Sequence, residues 1–286
     1  MDKVEIKNTL KNIEYKKLIG PAIVAALFIL IYYPTLEWMG NAWLHSDNYS
    51  HGFILLPVVA LIIWTRRHDL QGKNSQYHGT LLLVIGLGIH IAGFLRLDNF
   101  LSALSLFLTL PGLILLFRGT RALRALAFPI FMLVFLIPFP WLLEKVGVWL
   151  QSFAARAAAG IVDLLGVDVV RTGSKITLKD AAFDVDMACS GMHSLIALLA
   201  LAAIFAYVLK GSSTRKSILF LLAIPVAILA NLIRLVSILL IGNTWGEDVA
   251  TGFYHDAASP FLFLVAIVVM VLIAKLIGFN LRETPE

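Results

Sequence analysis

The sequence predicts an all-α polytopic membrane protein with about eight transmembrane helices. Hydrophobic residues make up 59% of the 286 positions and charged residues only 14%, whereas soluble domains carry about 25% charged residues. Apolar runs close to the ~20 residues that cross a bilayer recur along the whole chain. Both observations indicate a single multi-pass domain, because too few charged side chains are available to cover a soluble surface.

Several of the predicted spans contain Pro or Gly, which membrane helices tolerate when neighbouring helices satisfy the backbone. The spans cover residues 18–33, 52–65, 80–95, 100–117, 126–143, 191–209, 217–241 and 259–278. Residues 1–17 are predicted to form a basic cytoplasmic segment, 18–279 the transmembrane domain and 280–286 a cytoplasmic tail.

Basic residues predict the orientation of these spans. Lysines crowd the segment before the first span, further Lys or Arg clusters follow the second, fourth and sixth spans, and Arg282 follows the eighth. The positive-inside rule then places both termini in the cytoplasm and the loops 34–51, 144–190 and 242–258 outside. The net charge of +5 is explained by this topology, so no nucleic-acid partner is expected.

The long outward loop is predicted to contain a small folded insertion around residues 144–188. Residues 146–166 have helical periodicity with Arg156 and Asp163 as the only charges, which is typical of a helix lying along the membrane surface. The following stretch "VDVVRTGSKITLKDAAFDVD" alternates β-branched and polar residues. This alternation predicts a short β-hairpin.

Cys189 is the only cysteine of the chain and falls at the outer mouth of the sixth predicted span. A helix N-terminus stabilises negative charge and so favours the reactive thiolate. Ser190 and Gly191 allow a tight entry into the helix. The alternative interpretation is that Cys189 is a small apolar residue of the helix packing.

Arg234 lies inside the seventh predicted span, where a guanidinium is costly and is expected to face the bundle interior. It is 17 residues from Ser217, or about 25 Å along the helix, level with the outer leaflet. Asn231 shares its helical face. The alternatives are that Arg234 only reaches the outer headgroups or that it forms the anion site of a transporter or channel.

His255 stands where the last outward loop enters the eighth span. The topology therefore brings Cys189, Arg234 and His255 to one membrane level on three helix ends. A nucleophile, an oxyanion donor and an acid–base group are what acyl transfer requires. His193, four residues after Cys189 on the same helical face, is a rival base.

These residues resemble the motifs of a known family, the exosortase/archaeosortase transpeptidases. The resemblance is carried by "ACSG" at 188–191, "NLIR" at 231–234 and the histidine of "FYHDA" at 253–257. Two further stretches resemble family hallmarks, "YSHGFILLPV" at 49–58 and "FPIFMLVFLIPFP" at 128–140. One position departs from the family pattern, because Ser259 stands where a glycine is usual.

The resemblance implies a cysteine transpeptidase of the bacterial inner membrane whose substrates are exported, membrane-anchored proteins. Their C-terminal sorting tails carry a Pro-Glu-Pro-like motif, a membrane span and a basic end. Cys189 would attack the scissile carbonyl, Arg234 would bind the oxyanion or stabilise the thiolate, and His255 would transfer protons. A lipid amine, another amine or water would accept the acyl group, and no cofactor is expected. A purely hydrolytic membrane protease would use the same residues.

Other polar residues are predicted to support the site. Tyr49, Ser50 and His51 match the family pattern and are expected at the substrate entry, although Ser50 is equally suited to cap a helix. Asp184, Asp186 and Asp256 are candidates to orient His255 or Arg234. A metal site of Cys189, His193 and His255 fits by ligand type but is disfavoured because Arg234 would repel a cation.

Overall fold

The computed structural model of the protein describes most of the chain. It covers residues 3–46, 48–70, 72, 75–179, 181–185 and 190–279, with the backbone alone for residues 3–18, 253 and 255–257. Cys189, Asp186 and the predicted tail 280–286 lie outside the described residues, as do the side chains of His255 and Asp256.

Helix accounts for 81% of the structure, which confirms the predicted all-α class. A 3₁₀ turn at Arg67–Leu70 and a π-helical turn at Ala250–Tyr254 interrupt the α-helices. The α-helices in the described part of the chain are α1 (Lys3–His45), α2 (His51–Thr65), α3 (Gln76–Leu95), α4 (Asn99–Leu104), α5 (Leu106–Phe117), α6 (Gly119–Ala125), α7 (Ala127–Phe131), α8 (Leu133–Leu136), α9 (Pro140–Leu164), α10 (Met192–Val208), α11 (Ser213–Trp245), α12 (Glu247–Val249) and α13 (His255–Leu276).

The described helices are those of a multi-pass membrane protein. Five spans are long and apolar enough to cross a membrane: Ile19–His45, Gln76–Leu95, Asn99–Phe117, Ser213–Trp245 and Ala258–Leu276. The segments Gly119–Ala125 and Ala127–Leu136, bent by 59° at their junction, form a sixth candidate span. Two shorter apolar helices are α2 and α10. With them, each of the eight predicted spans has an apolar helical counterpart.

The first span extends further than predicted. The outward loop was expected to begin at residue 34, but α1 continues through Pro34 to His45. Tyr32, Thr35 and Met39 are all buried, and their spacing of three and four residues puts them on one helical face. The packing of this face stabilises a continuous helix in spite of the hydrogen bond that proline removes.

The fifth span lies earlier in the chain than the predicted residues 126–143. Pro138 and Pro140 lack an N–H donor and disfavour helical backbone in the residues before them. Ile137 is accordingly extended, with φ −78° and ψ 125°, and Pro140 is the first residue of the next helix. The prolines therefore separate the bent span from α9, and the predicted boundary at residue 143 is wrong.

The insertion contains one more strand than the predicted hairpin. The strands β1 (Val170–Thr172), β2 (Lys175–Thr177) and β3 (Ala182–Asp184) form an antiparallel sheet in the order β1-β2-β3. Ile176 pairs with Phe183 across the sheet, and both side chains are buried. The chain turns again after β2 and returns as β3, which buries Phe183 beside Ile176.

The chain divides into two compact units. Unit 1 contains the described residues of Met1–His45 and His68–Arg124, and unit 2 those of Ser46–Arg67 and Ala125–Glu286. In unit 1, α3 carries glycines at every seventh position, where a Cβ atom would lie within 2.8 Å of a backbone nitrogen of α4 or α5: Gly79, Gly86 and Gly93. Small residues at this spacing let membrane helices pack closely.

A buried polar network joins α1 to the other helices of unit 1. The Tyr32 hydroxyl shares hydrogen bonds with Ser105 Oγ at 2.6 Å and Thr109 Oγ1 at 2.7 Å. His90 Nδ1 shares one with Ser102 Oγ at 2.8 Å. Interhelical hydrogen bonds of this kind hold membrane helices together, which gives the intramembrane His90 a packing role.

Helix α11 organises unit 2. Its first half packs with α10 and α13 in an apolar cluster that includes Leu219, Ala223 and Ala227. Its second half packs with α9 and the sheet through Leu235 and Leu239. Asn231 and Arg234 lie between these two clusters, so the neighbours of α11 hold them in place from both sides.

Candidate active site

A cavity of about 480 Å³ lies in unit 2. Residues at the start of α2 and along α10, α11 and α13 form its wall: Asn48, Ser50, Ile54, His193, Ser194, Leu198, Ala227, Ala230, Asn231, Arg234, Ser259, Pro260, Leu262, Phe263 and Ala266. The size is typical of a ligand-binding site. Among the predicted site residues, Ser50, His193, Asn231 and Arg234 therefore share one cavity.

The polar side chains of the cavity meet at one end. Along α10 and α13 the polar wall residues come before the apolar ones, for example Ser259 before Phe263. Along α11 the order is reversed, with Ala227 before Arg234. Because α11 packs against both helices and runs in the opposite direction, the polar wall residues lie at one end of the cavity, here called its mouth, and the apolar residues line the rest, here called its interior.

Arg234 is half-buried at this mouth. Its Nη1 donates a hydrogen bond to Ser259 Oγ at 2.8 Å. No carboxylate among the described side chains pairs with it: Asp184 accepts a hydrogen bond from Ser174 Oγ on the exposed sheet instead, and Asp186 lies outside the description. The guanidinium of Arg234 is thus hydrogen-bonded to a neutral hydroxyl group.

The turn before α10 packs directly on α11. Gly191 has a φ of +84°, a left-handed conformation that side chains disfavour. A Cβ atom at this position would lie 2.7 Å from Cγ of Asn231. The preceding Ser190 is buried, and its Oγ accepts a hydrogen bond from the Met192 amide at 3.3 Å. Only glycine satisfies both the backbone conformation and the close contact with Asn231.

Two histidines stand side by side next to the cavity. The rings of His51 and His193 are 6.4 Å apart, centroid to centroid, in an edge-on arrangement. His51 Nε2 donates a hydrogen bond to the Phe135 carbonyl oxygen at 3.0 Å, which commits that ring to the α2–α8 contact. His193 Nδ1 is buried and has no hydrogen-bond partner among the described residues. His51 Nδ1 is likewise buried without a hydrogen-bond partner in the described part of the chain, but of the two rings only His193 lines the cavity.

Tyr49 is placed differently from Ser50. Its side chain is buried, and its hydroxyl accepts a hydrogen bond from the Phe139 amide at 2.9 Å. Burial raises the pKa of Tyr49 to about 12, partly offset by that hydrogen bond. Ser50 lines the cavity and makes no side-chain capping bond to the described first turn of α2. Of the "YSH" residues, only Ser50 lines the cavity.

The third predicted catalytic residue is described only by its backbone. His255 is the first residue of α13, and Ser259 follows it by four residues. Positions i and i+4 share one face of a helix. His255 therefore begins the same helical face from which Ser259 reaches Arg234, whereas Asp256 starts the neighbouring face.

Three polar cavity residues were not predicted as site residues from the sequence. Asn48, Ser194 and Ser259 all line the polar mouth. Ser194 directly follows His193, and Asn48 directly precedes the "YSH" stretch, so both lay beside predicted positions. The spacing of four from His255 was the signal that could have identified Ser259.

Comparison with known proteins gives a match at the level of a family. A family model described as transmembrane exosortase covers residues 43–272, more than three-quarters of the chain. The matched range contains every wall residue of the cavity as well as Cys189 and His255. No curated protein and no solved structure matches the chain.

Proposed function

Because this chain belongs to the family of transmembrane exosortases, we propose that it is a membrane-embedded cysteine transpeptidase. Its substrates are exported proteins with a C-terminal sorting tail made of a Pro-Glu-Pro-like motif, a membrane span and a basic end. The enzyme cleaves this tail and passes the acyl group to an amine, such as that of a lipid, or to water. The cavity supports the proposal because a polar mouth and an apolar interior suit a cleavage site next to a membrane span.

The observation that carries the proposal is the contact between Gly191 and Asn231. One residue separates Gly191 from Cys189, and Asn231 precedes Arg234 by three residues on the same face of α11. The segment that follows the thiol thus packs against the helix that carries the guanidinium. Proximity of a nucleophile and an oxyanion donor is what acyl transfer requires.

The proposed reaction has two halves. In the first, His255 takes the proton of Cys189. The thiolate then forms a C–S bond with the scissile carbonyl carbon, and the carbonyl oxygen becomes an oxyanion. Collapse of this intermediate breaks the C–N bond, and His255 returns the proton to the leaving amine. In the second, the acceptor amine replaces the sulfur at the acyl carbon. Its proton passes through His255 to the departing thiolate, which restores the thiol.

Arg234 is proposed to bind the oxyanion of both intermediates. Its hydrogen-bond partner is the neutral Ser259 hydroxyl, so its positive charge is not cancelled by a described carboxylate. A half-buried cation that no described carboxylate neutralises stabilises developing negative charge more strongly in surroundings of low dielectric constant than in water. The same property makes a bound metal cation unfavourable at this mouth.

We also propose that the protein lies in the bacterial inner membrane with both termini in the cytoplasm. The basic loops support this orientation by the positive-inside rule. The polar mouth, the sheet and α9 would then face outward, where an exported substrate presents its tail.

The function is tested with a secreted reporter that ends in such a sorting tail. Mass spectrometry of the reporter, produced with and without the enzyme, identifies its new C-terminus. A shortened reporter joined to an amine supports transfer, and a free carboxylate supports the hydrolytic version of the same chemistry. An intact tail in the presence of the enzyme would contradict the proposal.

The orientation makes a separate prediction. On a Cys189→Ala background, Asn243→Cys and Asp163→Cys should react with a membrane-impermeant maleimide in cells whose outer barrier is permeabilised. Ser213→Cys should react only after the membrane is disrupted, because the reagent cannot cross the bilayer. All three positions are exposed, so accessibility alone does not separate them. The reverse labelling pattern would place the cavity mouth on the cytoplasmic side.

A further inference from the structure

The hydrogen bond between Arg234 and Ser259 has no role in the catalytic scheme above. Both residues line the cavity, and the Arg234 Nη1 to Ser259 Oγ distance is 2.8 Å. The bond links α11 to α13, two helices that also share the apolar cluster around Ala227 and Ala266. It is thus a polar contact between packed helices at the cavity mouth.

We propose that Ser259 is a positioning residue for the reaction: its hydroxyl fixes the guanidinium of Arg234 beside the first turn of α13, where His255 stands. This inference rests on the proposed function. A guanidinium has five N–H donors in a rigid fork, and the bond to Ser259 uses one of them. Holding one arm of the fork orients the others toward the cavity, where the oxyanion is expected.

The chemistry of Ser259 suits this task. A carboxylate at the same place would hold Arg234 more strongly but would cancel the charge that stabilises an oxyanion. A hydroxyl accepts the N–H without adding a negative charge. Ser259 therefore restricts the side chain of Arg234 while leaving its electrostatic effect on the cavity intact.

The position of Ser259 on α13 gives its hydrogen bond to Arg234 a second effect. It follows His255 by four residues, which corresponds to one helical turn and a rise of about 6 Å. The hydrogen bond consequently fixes the rotation of this face of α13 relative to Arg234. A small misplacement of reacting groups is costly in catalysis, so a single interhelical bond here affects the rate.

The test compares variants of Ser259 by pulse-chase analysis of reporter processing, at matched enzyme levels in the membrane. Ser259→Ala should slow processing by about tenfold, because a hydrogen bond to a charged group is lost. Ser259→Thr keeps the hydroxyl and should stay within about threefold of the wild type. Ser237→Ala is the matched control, since Ser237 Oγ bonds the backbone carbonyl of Arg234 at 2.7 Å instead of the guanidinium. It should process the reporter normally.

A double variant separates positioning from general stability. If Ser259 acts through Arg234, Ser259→Ala should cause no further loss on an Arg234→Ala background. Additive losses, or normal processing by Ser259→Ala while Arg234→Ala fails, would overturn the inference and leave the proposed function standing. Normal processing by Arg234→Ala would contradict the catalytic role of Arg234 and, with it, the positioning role of Ser259, whereas the proposed function would still be tested by Cys189→Ala.

Discussion

Cys189→Ala is expected to leave the sorting tail of the reporter uncleaved while the variant accumulates in the membrane at the wild-type level. The chain has no other cysteine, so no second thiol can form the acyl-enzyme. Loss of the nucleophile in a comparable covalent enzyme lowers kcat by about 10⁶. The substitution removes only one sulfur atom from the side chain, and membrane levels measured by immunoblot should not change.

Two further variants test whether a thiol at position 189 itself is required. Cys189→Ser should also fail, because a hydroxyl without a dedicated activating base is a much weaker nucleophile than a thiolate. Cys189→Ala combined with Ser213→Cys restores one thiol per chain at an exposed position and should remain inactive. Maturation of the reporter by Cys189→Ala would end the assignment of the nucleophile, even if every other variant behaved as expected.

Arg234→Lys is expected to give a membrane-inserted protein that processes the reporter at least about tenfold more slowly, and Arg234→Ala should be slower still. Losing one oxyanion donor costs about 10²–10³ in rate, or roughly 2.7–4 kcal/mol. Lysine keeps the charge but lacks the planar fork that donates to both Ser259 and an oxyanion. The rate is measured by pulse-chase analysis at matched protein levels.

His255→Ala provides the partner for this experiment. It should be similarly impaired, and its combination with Arg234→Ala should cost less than the two single losses added together, because members of one catalytic unit are not additive. Near-normal processing by Arg234→Lys would instead favour an arginine that only reaches the headgroups, since both side chains can do so. The site would then consist of Cys189 and a histidine, and His193, which lines the cavity, would become the candidate base.

Much of the fold was predictable because membrane insertion depends on local composition. Each ~20-residue apolar run is favourable in the bilayer by itself, so the spans could be identified without knowing their neighbours. The ends of the spans were predicted less accurately where tertiary packing extends a helix. The first span was predicted to end at residue 33, yet Tyr32 and Met39 bury a face that carries α1 to His45. By contrast, the prolines at 138 and 140 do interrupt the helix, which ends before Ile137, and a new helix begins at Pro140.

The sequence by itself determined the chemical types available at the proposed site: one thiol, a guanidinium within a predicted span and histidines near helix ends. Their topology also predicted that these groups lie at one membrane level. The tertiary structure decided which residues Arg234 and Asn231 contact. Ser259 is 25 residues from Arg234 and Gly191 is 40 from Asn231, and neither contact follows from helical periodicity. Such pairs depend on how α10 and α13 rotate against α11, which the packing of the apolar clusters fixes.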